Sequence, residues 1–65
     1  MTRDEKIRYV ADSIIGSRLS EAETWEINGA IGWHPDDVEG EGIFRLSEDD
    51  LRAAIALASR GKEKS

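Results

Sequence analysis

Four carboxylates spaced one or two residues apart mark the part of this chain best suited to bind a charged group. They are Asp36, Asp37, Glu39 and Glu41. The wider stretch 21–50 holds ten acidic residues and one basic residue, and the 65-residue chain has a net charge of −5. This charge opposes binding to nucleic acid and anionic membranes, because phosphate neutralisation supplies most non-specific affinity for DNA. Clustered carboxylates instead favour a cation or a basic protein surface.

Residues 37–48 resemble the calcium-binding loop of the EF-hand family. The ligands that this resemblance implies are Asp37, Glu39, Glu41 and Glu48. Gly42 falls where the family has a sharp turn, but Arg45 occupies a position that normally supplies an oxygen ligand or a water. The chain also has no cysteine for a thiolate site. We therefore predict no metal and no cofactor, and calcium binding is only the third functional alternative.

Residues for catalysis are few. His34 is the only histidine, and Ser20 and Ser47 are better explained as helix caps than as nucleophiles. A chain of this length rarely encloses the apolar pocket that would shift the pKa of a carboxyl group. We therefore predict that the protein is not an enzyme.

The elements that must position the acidic residues begin with a helix over residues 3–15. Apolar residues recur on one helical face, at Ile7, Val10, Ala11 and Ile14. Thr2 and Glu5 form a capping-box pattern at its start, and Gly16 predicts its end.

The last helix is predicted from a cap at Ser47 to about Ser59. Three acidic residues load its first turn, and Arg60 precedes Gly61 at its end. We expect one small domain over residues 1–61 and a frayed tail over residues 62–65.

The middle of the chain allows two interpretations. Ser20 and Glu23 form a second capping-box pattern, which favours a helix over residues 21–31. Asn28-Gly29 is instead a hairpin signal, and it would pair the Trp and Ile residues on either side across two strands. Ile43–Leu46 reads as a short strand.

Residues 18–46 resemble helix-turn-helix domains, on the pattern Glu26-Ile27-Asn28-Gly29-Ala30-Ile31-Gly32 with Val38 in the next helix. The resemblance implies a winged-helix-like fold. The segment that would enter the major groove, residues 34–41, carries four carboxylates where such domains carry basic or amide side chains. The predicted fold class is therefore mainly α or α+β: a small helix-turn-helix-like domain with two terminal helices and one short strand or hairpin.

The predicted core draws on every one of these elements. Its members are Ile7, Val10, Ile14, Leu19, Trp25, Ile27, Ile31, Val38, Phe44, Leu46, Leu51, Ile55 and Ala58.

The leading functional hypothesis is a regulatory or inhibitory module that binds a basic protein partner. The predicted contacts are Asp36, Asp37, Glu39 and Glu41, with Trp33 as an apolar anchor. The alternative is a winged-helix DNA-binding regulator that uses basic residues near both ends of the chain. These are Arg3, Lys6, Arg8, Arg52, Arg60, Lys62 and Lys64. We further expect a cytoplasmic location, no membrane association and the capacity to form a homodimer.

Overall fold

Three helices account for most of the residues that the computed structural model describes, namely 2–34 and 42–64. They are α1 (Arg3–Ser17), α2 (Glu21–Glu26) and α3 (Glu48–Lys64). A π-helical turn, Ile27–Ile31, continues α2 directly. The prediction of a small, mainly helical domain is confirmed. Within the described ranges no β-strand forms, and no helix is long and apolar enough to cross a membrane.

Helix α1 begins at the predicted capping box. The Thr2 hydroxyl accepts a hydrogen bond from the Glu5 backbone N–H at 3.2 Å, and the Glu5 carboxylate accepts one from the Thr2 N–H at 3.1 Å. These two bonds satisfy N–H groups that have no partner inside the helix.

The end of α1 lies two residues beyond the prediction. Gly16 is helical, and it is Arg18 that takes the left-handed conformation, with a φ of 53°. The N–H groups of Arg18 and Leu19 donate back to the carbonyls of Ile15 and Ile14, in the hydrogen-bond pattern of a Schellman motif. The prediction of a stop at Gly16 is therefore wrong. The left-handed residue that ends the helix is Arg18, which lies two residues further on and is not a glycine.

Helices α1 and α3 pack side by side and run in the same direction. Arg3 pairs with Asp50 at the start of both helices, with 2.6 Å between nitrogen and oxygen. At the other end, a Cβ on Gly61 would lie 2.8 Å from Ile15 Cδ1. The buried residues along this contact are Val10, Ala11 and Ile14 of α1 and Leu51, Ala54 and Ala58 of α3. The small alanines let the two backbones approach closely, and burial of Leu51 alone contributes about 2 kcal/mol.

Helix α3 starts as predicted and ends later than predicted. The Ser47 hydroxyl accepts from the Asp50 N–H at 3.3 Å, and the Ser47 carbonyl accepts from the Leu51 N–H at 2.8 Å. The predicted end at about Ser59 is corrected, because the helix continues through Gly61 to Lys64. The residues after Gly61 are Lys-Glu-Lys, which are good helix formers.

Residues 21–31 are helical, so the hairpin alternative centred on Asn28-Gly29 does not form. Ser20 and Glu23 complete the second capping box, at 3.1 Å in both directions. The wider turn that follows is closed by a bond from the Gly32 N–H to the Ile27 carbonyl at 2.6 Å, five residues back. Because this turn departs from the 3.6-residue period, Ile31 leaves the buried face on which the sequence pattern placed it.

The predicted strand at 43–46 is reduced to a single antiparallel bridge between Trp33 and Phe44. Most of the predicted core is buried or partly buried, but Ile31 is 57% exposed and Val38 lies outside the described residues. Trp33 and the fully buried Thr24 belong to the interior, although the predicted core did not include them.

Candidate functional site

The side chain of Asn28 fixes the position at which the chain returns towards α3. Its amide nitrogen donates to the Leu46 carbonyl at 3.0 Å, and its amide oxygen accepts from the Leu46 N–H at 2.9 Å. The same oxygen accepts from the Trp33 indole N–H at 3.0 Å. We call these three bonds the Asn28 clamp. The side chain thus pairs with the Leu46 backbone as a neighbouring strand would, which explains why so short an extended segment is held in place.

Backbone pairing next to the clamp brings together Trp33 and Phe44, which flank the four clustered carboxylates. Trp33 and Phe44 exchange N–H to carbonyl hydrogen bonds of 2.9 and 3.1 Å. The Tyr9 hydroxyl donates to the His34 carbonyl at 2.6 Å, which ties the same point to α1. The Tyr9 ring also meets the Phe44 ring edge to face, at a centroid distance of 6.0 Å. These contacts hold His34 and Phe44 close together, and the chain from residue 34 to residue 43 is called the acidic segment below.

The four predicted partner-binding carboxylates belong to the acidic segment but lie outside the described residues. They are Asp36, Asp37, Glu39 and Glu41. Trp33, the predicted anchor, is 5% exposed, and its indole N–H is bonded to Asn28. Its ring packs in the hydrophobic core with Phe44. The structure therefore assigns Trp33 a role in holding the ends of the acidic segment.

Glu48 is the one residue of the EF-hand-like set that the structure describes. It lies in the first turn of α3, where its carboxylate accepts from Arg52 at 3.0 Å. The remaining ligands of that set, Asp37, Glu39 and Glu41, fall outside the described ranges. Among the described side chains, no three potential metal ligands converge on one point.

Two exposed isoleucines, Ile31 and Ile43, lie close to the ends of the acidic segment. The sequence did not predict that either would be exposed. Ile31 is 57% exposed and Ile43 is 54% exposed. A Cβ on Gly32 would overlap the Cγ2 atom of Ile43, so the Ile43 side chain lies directly over the backbone next to Ile31. Exposed apolar side chains that form a contiguous patch beside polar residues mark contact surfaces, whereas single ones are common on any protein. In the sequence, Ile43 directly follows Gly42 and belongs to no helical apolar stripe, which is consistent with its exposure.

Two acidic residues at helix starts, Glu5 of α1 and Glu23 of α2, are engaged in capping. Backbone and side-chain hydrogen bonds from Thr2 lower the pKa of Glu5, and equivalent bonds from Ser20 lower the pKa of Glu23. Both shifts arise because the bonds favour the charged form.

The basic residues proposed for phosphate contact are divided between different parts of the domain. Arg3 is bonded to Asp50, which holds the Arg3 pKa above its ordinary value, and Arg52 is bonded to Glu48. Arg60 lies ten residues beyond Asp50 on α3, which is about 15 Å along the helix axis. Arg3 and Arg60 therefore lie at different ends of the paired helices.

Comparison with known proteins gives no relative from which a role could be transferred: no protein family, curated protein or solved structure matches this chain.

Proposed function

We propose that the protein is a small non-enzymatic regulatory or inhibitory module that binds a basic protein through its acidic segment and the adjoining isoleucines. The observation that carries the proposal is the exposure of Ile31 and Ile43, both more than half accessible, beside a segment with four carboxylates. Protein interfaces commonly combine an apolar centre with a charged rim.

The fixed ends of the acidic segment support this proposal. The Trp33–Phe44 pairing and the Tyr9–His34 bond hold both ends against the helices. Binding residues are often carried by connecting segments on a rigid scaffold, because such a scaffold limits the conformational entropy lost on binding. The carboxylates at 36–41 would increase the association rate with a basic surface, and the isoleucines would slow dissociation.

The alternative function, a winged-helix DNA-binding regulator, has less support. It would need Arg3 for phosphate contacts, yet Arg3 is bonded to Asp50, whose side chain is only 16% exposed. Its recognition segment would also be the acidic stretch, where each carboxylate would face phosphates.

The test compares proteins captured by the wild type with those captured by variants of matched charge. Asp37→Lys changes the acidic segment, and Asp12→Lys makes the same charge change at an exposed position on α1. A partner of the proposed kind is captured by the wild type and Asp12→Lys. Its association rate with Asp37→Lys should fall about threefold to tenfold at low salt, and the difference should shrink at high salt.

The apolar half of the surface is tested with Ile31→Ser and Ile43→Ser. Each should raise the dissociation rate of that partner by about tenfold, with little change in stability because both side chains are largely exposed. Equal binding by the wild type and all of these variants would remove this surface from consideration. Equal loss in Asp37→Lys and Asp12→Lys would mean that only overall charge matters.

A further inference from the structure

A second surface, which shares no residue with the acidic segment, lies between α2 and α3. It is an open groove of about 720 Å³, with Trp25 and Ile55 contributing apolar surface. Both side chains are partly buried, whereas Ala56 on the same groove is exposed and small. The groove therefore has an apolar centre with room above it.

The direction of α2 places carboxylates at both ends of this groove. Glu21 at the start of α2 lies beside Ser59, late in α3. Asn28, just beyond α2, is bonded to Leu46, just before α3. The two helices are therefore antiparallel, with Glu21 at one end of the groove and Glu48 at the other. The α3 residues between those ends span about 16 Å, which is three helical turns.

The groove is lined by two carboxylates, Glu21 and Glu48, and by one base, Arg52, so its charge favours a basic occupant over an acidic one. Glu48 is paired with Arg52, but both side chains are about two-thirds exposed, so water screens that pair strongly. Glu21 forms no salt bridge with any base among the described residues. A basic segment would be attracted by both carboxylates and by the net charge of −5, whereas a second copy of the chain would bring another −5.

Trp25 supplies the feature expected of an apolar contact point. Trp25 lines the groove and is partly exposed to solvent. An amphipathic helix laid in an apolar groove buries its hydrophobic face there and leaves its charged residues at the rim. Tryptophan is among the residues that contribute most at such contacts.

We propose that the α2–α3 groove binds a short basic amphipathic helix of a protein partner. Its apolar face packs on Trp25, Ile55 and Ala56, and Lys or Arg side chains about three turns apart pair with Glu21 and Glu48. This inference does not rest on the function proposed for the acidic segment.

The test uses a synthetic amphipathic helix of Leu and Lys, about four turns long, added to the isotope-labelled full chain. Proton–nitrogen NMR follows every backbone amide and both indole N–H groups. The Trp25 indole and the amides of Ile55 and Ala56 should shift. A matched peptide with Glu in place of Lys should leave them unchanged.

Two pairs of variants separate groove binding from general attraction. Ala56→Gln fills the groove without a charge change, and Ala53→Gln makes the same substitution at another exposed position of α3. We expect Ala56→Gln to weaken binding about tenfold and Ala53→Gln to change it less than about twofold. Glu21→Lys should likewise weaken binding more than Asp12→Lys, which makes the same charge change away from the groove.

The outcomes distinguish this inference from the function proposed above. Shifts confined to Ile31, Ile43 and the acidic segment would overturn the groove and leave the acidic-segment proposal standing. Shifts in the groove with loss on Ala56→Gln would support the groove, whatever the acidic-segment variants show. Equal weakening by Ala56→Gln and Ala53→Gln, or by Glu21→Lys and Asp12→Lys, would also overturn it.

Discussion

The α1–α3 pair and the region around Asn28 are held together by different physical means. The helix pair is held by a stripe of apolar side chains, and small changes there alter stability gradually. The Asn28 region is held by three side-chain bonds, a two-bond bridge and a glycine with a φ of 84°. Hydrogen-bond geometry of this kind tolerates fewer substitutions, because one change leaves several polar groups unpaired. The Asn28 region, which lies next to the candidate binding surface, therefore depends more on the identity of single residues than the helix pair does.

Among the substitutions that test this comparison, Asn28→Ala should cause the largest loss of stability. It leaves the Leu46 N–H, the Leu46 carbonyl and the Trp33 indole N–H without their partner. The free energy of unfolding should fall by about 2–4 kcal/mol, measured by urea denaturation. Asn28→Asp keeps the acceptor but turns a carboxylate oxygen towards the Leu46 carbonyl oxygen, so it should also lower the free energy of unfolding. A loss below that of an exposed control such as Ala53→Gln would contradict the role given to the clamp.

Gly32→Ala should give the next largest loss. A side chain at this positive φ is strained, and the added Cβ would overlap Ile43 Cγ2 and lie 3.2 Å from the Phe44 carbonyl oxygen. The unfolding free energy should fall by about 1–2 kcal/mol, which thermal unfolding can measure. Unchanged stability would mean that the backbone at Gly32 relaxes freely.

The same substitution at Gly16 should instead raise the free energy of unfolding, which sharpens the contrast between the helix pair and the Asn28 region. Gly16 is helical, exposed and has nothing within 4 Å of the position a Cβ would take. Gly16→Ala should raise the unfolding free energy by about 0.5–1 kcal/mol, because alanine loses less backbone entropy in a helix. A lower free energy of unfolding for Gly16→Ala would contradict the view that the helix pair tolerates substitution better than the Asn28 region.

The smallest effect concerns the two capping boxes and depends on pH. The folded-state pKa of Glu5 and of Glu23 is lowered from an ordinary value of 4.5. Their contribution is therefore present above about pH 4.5 and is lost as the pH falls through the folded-state values. Compared with the wild type, Glu5→Gln/Glu23→Gln should melt slightly lower at pH 7, and the gap should close as the pH falls below the lowered folded-state pKa values. A gap that stays constant with pH would exclude the charged form as its cause.

Helices with local signals could be predicted from sequence, and elements with distant partners could not. The Thr2–Glu5, Ser20–Glu23 and Ser47 caps each depend on residues three apart, and all form. Asn28 belongs to a hairpin signal as well as a helical stripe. Only its bonds to Leu46, 18 residues away, show its role.

The candidate site was only partly predictable for the same reason. The carboxylate cluster is visible in the sequence, but the exposure of Ile31 follows from the π-helical turn and could not be read from periodicity. Trp33 matched the profile of an interface residue by type, yet its bond to Asn28 and its 5% exposure place it in the interior. The groove between α2 and α3 gave no sequence signal, because it depends on how the two helices cross.

The parallel orientation of α1 and α3 also bears on how the chain folds. Arg3 and Asp50, which meet at one end of the pair, are 47 residues apart in sequence. Bringing such distant segments together requires closing a long loop before their contacts can form, and folding slows as the sequence separation of native contacts grows. Helices joined by a short turn would avoid this delay. In this protein the length of chain between α1 and α3 adds to the entropic cost of bringing the two outer helices together.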